Sequence, residues 1–227
     1  MKRLPHLHYV LVLLGLFLVW WAVLAIHPLD RSDWMLENAL AVTAIGVLAG
    51  TSRWFRFSRF SYTLIFIFLC LHEVGAHYTY AKVPYQAWLQ ALGWPGVASL
   101  AAGRNHFDRL AHFSFGLLLS YPMREVFVRI AQARGFWSYY LPLDMTMAFS
   151  MLFELIEWAA ATVFGGDLGV AYLGTQGDPW DAQKDMALAS LGGLLAMIVT
   201  ALVNLHQQRD FAREWIESLR AKPPRRG

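Results

Sequence analysis

Six apolar runs, each close to the length of a bilayer crossing and separated by polar segments, constrain this chain more than any single motif in it. They cover about residues 8–26, 34–50, 60–80, 108–128, 141–164 and 180–205. At ~1.5 Å rise per residue, a helix of ~20 residues spans a ~30 Å hydrocarbon core. Lipid offers no partner for backbone N–H and C=O groups, so runs of this kind become helices that satisfy their own backbone. The predicted fold is therefore all-α: a polytopic membrane protein, a bundle of six transmembrane helices. A single transmembrane helical domain is expected over residues 1–227, with a basic cytoplasmic tail at 206–227. The composition agrees, because 57% hydrophobic and 15% charged residues are too apolar for a soluble domain of 227 residues. Ten tryptophans and nine tyrosines suit a chain with two membrane–water interfaces to anchor. The first run ends near Val23-Leu24-Ala25, which loosely resembles a cleavage site. It exceeds the roughly 7–15 residues of a signal core, so an uncleaved first helix is expected. A short loop holding Asp30, Arg31 and Asp33 then leads into the second run. One cysteine, Cys70, excludes an intrachain disulfide and a cysteine metal site.

Basic residues set the expected orientation. Lys2 and Arg3, then Arg53, Arg56 and Arg59, then Arg124, Arg129 and Arg134, then the arginines from Arg209 onward, alternate with segments poor in lysine and arginine. With six spans this pattern places both termini in the cytoplasm and the 174–179 loop outside. It also accounts for the net charge of +3 without nucleic acid. The expected partner is the lipid bilayer, in the bacterial cytoplasmic membrane. The longest connection, 81–107, is expected to lie on the membrane surface with a short amphipathic helix near Tyr85 to Leu92. No internal repeat is visible.

Against this apolar background the ionisable residues stand out, since a charge at a helix centre costs about 2.5–3.5 kcal/mol on insertion scales. The stretch 174–185, GTQGDPWDAQKD, carries Asp178, Asp181 and Asp185 between two apolar runs. Pro179 is suited to starting the sixth helix, which puts Asp181 in its first turn, where the helix dipole favours a carboxylate. Asp185 lies a turn deeper. Glu73 and His77, Asp108 and His112, and Asp181 and Asp185 are i,i+4 pairs, and Glu154 and Glu157 are i,i+3, so each pair shares a helix face. With the topology above, all eight reach similar depth in the outer half of the bundle. HEVGAH at 72–77 is not a zinc-protease motif, because His72 and His77 are i,i+5 and diverge around the helix.

Carboxylates and imidazoles at one depth suit two chemistries. They can bind a divalent metal ion through Glu73, His77, Asp108, Asp181 and Asp185, and they can supply acid–base groups in Glu154, Glu157 and His112. The competing structural reading pairs Glu154 and Glu157 with Arg104, Arg109 or Lys184 in an interhelical lock. His6, His8 and His106 read as interface or solvent histidines, and Gly192 with Gly193 as a close helix contact.

Four stretches, HEVGAHYTY at 72–80, NHFDRLAHFSFG at 105–116, ELIEW at 154–158 and GTQGDPWDAQKDM at 174–186, occur in an order that resembles the YjdF-like family of bacterial inner-membrane proteins. That resemblance covers about residues 30–205 and implies a multi-pass inner-membrane protein with no established activity. A second similarity is to VanZ-like membrane proteins. Asp108 to His112 resembles their Asp-Lys-x-x-His helix start with arginine for lysine, Glu154 to Glu157 their acidic region with glutamate for glutamine, and Asp185 with Gly192 their last helix. Three functions are compatible with these residues. One is a metal-dependent membrane-embedded hydrolase or transferase acting on a lipid or envelope precursor. The others are a proton- or cation-coupled transporter or ion-binding protein, and a non-catalytic assembly factor.

Overall fold

A computed structural model describes residues 5–93, 104–166, 169 and 175–207. Lys2, Arg3, the 94–103 part of the long connection, Gly174 and the basic tail from Arg209 onward lie outside the described residues. Within them the chain is helical and has no strand: α1 His6–Leu24, α2 Arg31–Thr51, α3 Arg59–His77, α4 Tyr85–Ala91, α5 Phe107–Arg129, α6 Trp137–Phe164 and α7 Asp181–Gln207. Five of these, α1, α2, α3, α6 and α7, are long and apolar enough to cross a membrane. The 23-residue α5 matches them in length, but Asp108, Arg109, Arg124, Glu125 and Arg129 dilute its apolar character.

The polar α5 is the axis of the bundle. It packs against α3, α6 and most extensively α7, while α1 and α2 lean on α3. Small residues set the α5–α7 distance. A methyl group built on Gly116 would overlap the Ala189 carbonyl, and one on Gly192 would overlap the Phe113 carbonyl, so each helix backbone rests directly on the other. Ser120 and Thr146 share a hydrogen bond of 2.7 Å that ties α5 to α6. Two apolar clusters complete the packing, one around Phe17, Ala41 and Leu69 and one around Tyr139, Ala196 and Met197. Most other large apolar side chains of α1, α2, α6 and α7 face outward, as lipid-facing residues do.

The helix ends sort into two sets. At one end the Glu125 carboxylate accepts from Ser58 N–H at 2.8 and 3.0 Å and from the Ser61 hydroxyl, and Arg129 donates to the Arg56 carbonyl at 2.6 Å. The start of α1 joins this end through Tyr9 and Thr63, and the close of α7 through Asn204 and Tyr139. The opposite end holds the turn after α3, the start of α5 and the start of α7.

Helix α3 stops at His77 rather than at Tyr80. Thr79 takes a left-handed φ of 55° and Tyr80 N–H donates back to the Gly75 carbonyl at 2.8 Å, the closure of a Schellman turn. The Tyr80 ring then lies over Gly75, where a side chain would collide with it. At the other side of the bundle, α6 begins at Trp137, four residues ahead of Leu141, and carries Pro142 in its early turns.

Candidate functional site

Five of the seven helices contribute polar side chains to the end opposite the Arg56–Arg129 contact. From α2 come Asp33 and Glu37, from α3 His72 and Glu73, from α5 Asp108 and His112, from α6 Glu154 and Glu157, and from α7 Asp181 and Asp185. All except Asp108 and Glu154 are buried.

The tightest grouping is on the α5–α6–α7 side. One ligand atom each from Asp108, His112 and Asp185 lie within 4.8 Å of one another. His112 Nε2 stands 3.4 Å from Glu154 Oε1 and 3.7 Å from Asp108 Oδ1. Asp185 Oδ1 and Glu154 Oε1 are buried without a hydrogen-bond partner. Close packing at Gly116 and Gly192 makes this grouping possible, because it brings the faces of α5 and α7 that carry His112 and Asp185 together.

A second group lies on the α2–α3 side. Glu37 Oε2 and Asp33 Oδ1 are buried and have no hydrogen-bond partner, and Glu73 is buried beside Asn38. Between the two groups sit His72 and Tyr80. His72 Nε2 is 3.2 Å from the Glu37 backbone carbonyl, which can only accept, so the neutral imidazole carries its proton there. Its Nδ1 is then the acceptor for the Tyr80 hydroxyl at 2.5 Å. Burial, followed by the carboxyl groups of Glu37, Asp108, Glu157 and Glu73, holds the Tyr80 phenol well above its ordinary range. Tyr80 therefore remains a neutral donor.

The cations close the end of the site instead of entering it. Arg104 pairs with Asp181 at 2.5 Å, and Arg109 with Asp178 at 2.7 Å and Asp181 at 3.5 Å. Lys184 pairs with Asp178 at 2.6 Å. The Lys184 hydrogen bond, then that from Trp180 N–H, then Lys184 charge and Arg109, bring the Asp178 carboxyl down to about 2. Gln176 exchanges hydrogen bonds of 2.9 and 3.0 Å with the Asn105 backbone, completing a clasp between the chain entering α5 and the chain entering α7. Desolvation, with Arg109 and Arg104 alongside, lowers His106 at the start of α5.

The expected site residues thus divide. Asp108, His112 and Asp185 come together with Glu154, and Glu157 lies in electrostatic reach of Asp108, Glu154 and Asp185. Glu73 is fully buried, on the α2 side, beside Asn38. Asp181 is held by guanidinium groups. His77 points away, donating from Nδ1 to the Leu24 carbonyl at 2.7 Å. Arg104, Arg109 and Lys184 bind Asp178 and Asp181, so no ion pair joins them to Glu154 or Glu157 among the described residues. Sequence reasoning assigns no role to Asp33 and Glu37, although they too form an i,i+4 pair. Hydropathy leaves Asp33 in a loop, whereas Asp30 caps α2 through Ser32 and Asp33 N–H and draws Asp33 into the first turn.

Seven carboxyl groups, those of Asp33, Glu37, Glu73, Asp108, Glu154, Glu157 and Asp185, share this end without a lysine or arginine ion pair among the described residues. In a low-dielectric interior such a set requires protons or a bound cation. Oxygen donors with one imidazole suit a divalent ion. A groove of about 850 Å³ opens from this end, with Glu37, His72, Tyr80, Asp108, His112 and Glu157 at its polar limit and mostly apolar walls beyond.

Comparison with known proteins agrees with the membrane architecture. A family model described as a predicted membrane protein (DUF2238) matches residues 9–206. The chain is 37% identical over 183 residues to the inner membrane protein YjdF of Escherichia coli K12, covering 80% of this chain and 84% of that protein. No solved structure matches.

Proposed function

The chain belongs to the DUF2238 family of predicted membrane proteins and is a multi-pass protein of the inner membrane; from that setting we propose that it is a divalent-metal-dependent hydrolase or transferase acting on a lipid or envelope precursor. The observation that carries this reading is the donor group of half-buried Asp108 with buried His112 and Asp185, and Glu154 against His112. In this proposal α5 also crosses the membrane, as the fourth of six spans in a single helical domain, both termini are cytoplasmic, and the site lies toward the outer face. Asp108, His112 and Asp185 hold the cation, which would supply Lewis-acid stabilisation of charge on the substrate oxygen. Glu154 or Glu157 accepts a proton from the attacking water or acceptor hydroxyl and returns it to the leaving oxygen. Arg104 and Arg109 hold the end of the site shut through Asp178 and Asp181.

Ion transport is less well supported, because the groove beyond the polar end is lined mostly by apolar side chains and offers a cation few ligands. A purely structural lock is disfavoured by the same unpaired carboxyl groups, which stabilise nothing by themselves. The test is metal analysis of the purified full chain after incubation with magnesium, manganese or zinc and removal of free ion. The wild type is expected to retain a divalent ion, and Asp108→Asn combined with Asp185→Asn to lose it while keeping its helical circular dichroism. A wild type that retains no ion under any of the three conditions sinks the proposal.

A further inference from the structure

The groove has a shape that the cation chemistry does not require. Helix α2 packs on α3, and α6 packs on α5 and α7, so α2 and α6 stand as two walls over a floor made by α3 and α5. Leu40 and Val47 line one wall, Leu152 and Ile156 the other, and Phe115 and Leu119 the floor. Val47, Leu152 and Ile156 are among the exposed apolar residues, so the opening between the walls faces the hydrocarbon of the membrane.

Its length separates two kinds of lipid. The lining continues along α2 from Glu37 to Thr51 and along α5 from His112 to Val126, which at the helical rise is ~21 Å on each. One leaflet of a ~30 Å hydrocarbon core is ~15 Å deep. A two-tailed lipid with its head among the carboxyl groups would leave the lower part of the groove unfilled. The volume of about 850 Å³ falls within the range of a pocket for one small ligand. Glu37 and Asp33, each buried with an oxygen that lacks a partner, line the polar limit and mark where a head group would meet the protein.

We propose that this groove seats a single long-chain phosphorylated lipid, whose hydrocarbon runs between α2 and α6 past the bilayer midplane and whose phosphate ends at the carboxylate–histidine group. The head-group half rests on the cation reading above, since an anion reaches seven carboxyl groups only through a metal ion; the chain half rests on the groove alone. Lateral entry between the walls lets the chain slide in from the membrane as its phosphate reaches the carboxylate–histidine group.

Lipid-exchange native mass spectrometry of the full chain in non-ionic detergent tests both halves. The probes are a long polyprenyl phosphate, the corresponding polyprenol and dioleoyl phosphatidic acid, with magnesium or with a chelator. With magnesium, the polyprenyl phosphate adduct is expected to exceed the phosphatidic acid adduct by about tenfold. Thr43→Trp and Leu152→Trp, which fill the groove from its two walls, are expected to lower it by a similar factor. Val42→Trp, an exposed α2 position not among the groove-lining residues, is expected to leave it unchanged. Equal adducts for one-chain and two-chain phosphates, or no effect of either groove variant with the fold intact, overturn the proposal. Polyprenol binding as well as its phosphate, insensitive to chelator, overturns the head-group half and leaves the chain half standing. Retention of a metal ion by protein that captures neither long-chain probe overturns the groove while sparing the cation reading.

Discussion

Thr79, at a φ of 55°, is a β-branched residue in a conformation that such residues rarely adopt. What holds it there is the turn closing α3, and the result is that Tyr80 folds back to donate to His72. Replacing Tyr80 with Phe keeps the ring over Gly75 but strands the buried His72 Nδ1, a loss of about 1–3 kcal/mol. The phenol pKa lies above the ordinary value of 10.0, so its contribution is complete below about pH 10 and is lost as pH rises through the folded value. Thermal unfolding in detergent is therefore expected to show wild type above Tyr80→Phe at neutral pH, with the gap narrowing above pH 10. A gap that stays constant across that range removes the phenol from the account. Neither this contact nor the role of Glu37 was legible in the sequence. An apolar run continuing through HYTY gives no local sign that the chain reverses, because the reversal depends on Gly75 leaving room for a ring. The pairs Asp108–His112 and Asp181–Asp185 were legible, since helical spacing fixes which residues of one helix share a face; that Asp185 joins Asp108 and His112 depends on how α5 and α7 pack. The engagement of Asp181 by Arg104 was not, because Arg104 reaches it across 77 residues of sequence.

At the scale of the elements, the site depends on how closely α5 and α7 approach. Gly116→Ala would drive a methyl group into the Ala189 carbonyl, a backbone atom that cannot turn aside. The helices must separate, at about 1–3 kcal/mol for an overpacked contact, and the separation draws His112 from Asp185. Gly46 on α2 provides the contrast, because a methyl group there meets nothing within 4 Å and is expected to be neutral or to stabilise the helix by up to ~1 kcal/mol. Melting temperature and retained metal measured on both variants check this. Gly116→Ala is expected to lower the two together and Gly46→Ala neither. Equal behaviour of the two variants would mean that the α5–α7 contact does not set the site. The helices themselves were readable as apolar runs, but their ends follow local chemistry. Asp30 and Ser58 cap α2 and α3 with side-chain oxygens, whereas α6 takes Pro142 inside a helix that begins at Trp137. Hydropathy alone locates neither kind of boundary.

For the whole molecule, the arrangement that matters is which helices stand apart. Helices such as α1, apolar around most of their circumference and facing lipid, carry no stripe that names a partner, so the separation of α2 from α6 could not be read from the chain. A sidedness is expected from the chain, because arginines resist translocation wherever they fall in short loops. In the structure Arg56 and Arg129 meet at one end, where α1 begins and α7 closes, while the clasp of Asp178 with Arg109 and Lys184 lies at the other. If the Arg56–Arg129 end is cytoplasmic, the carboxylate–histidine group faces outward and a lipid head group reaches it from the outer leaflet. Cys70 is the chain's one cysteine, so after Cys70→Ala each end can carry a single reporter. Ser32→Cys at the start of α2 and Ala131→Cys just beyond α5 are both at exposed positions. A membrane-impermeant maleimide applied to intact spheroplasts is expected to label Ser32→Cys at once and Ala131→Cys only after permeabilisation. The reverse pattern would put the site on the cytoplasmic face, and the head group would then have to be supplied from the inner leaflet.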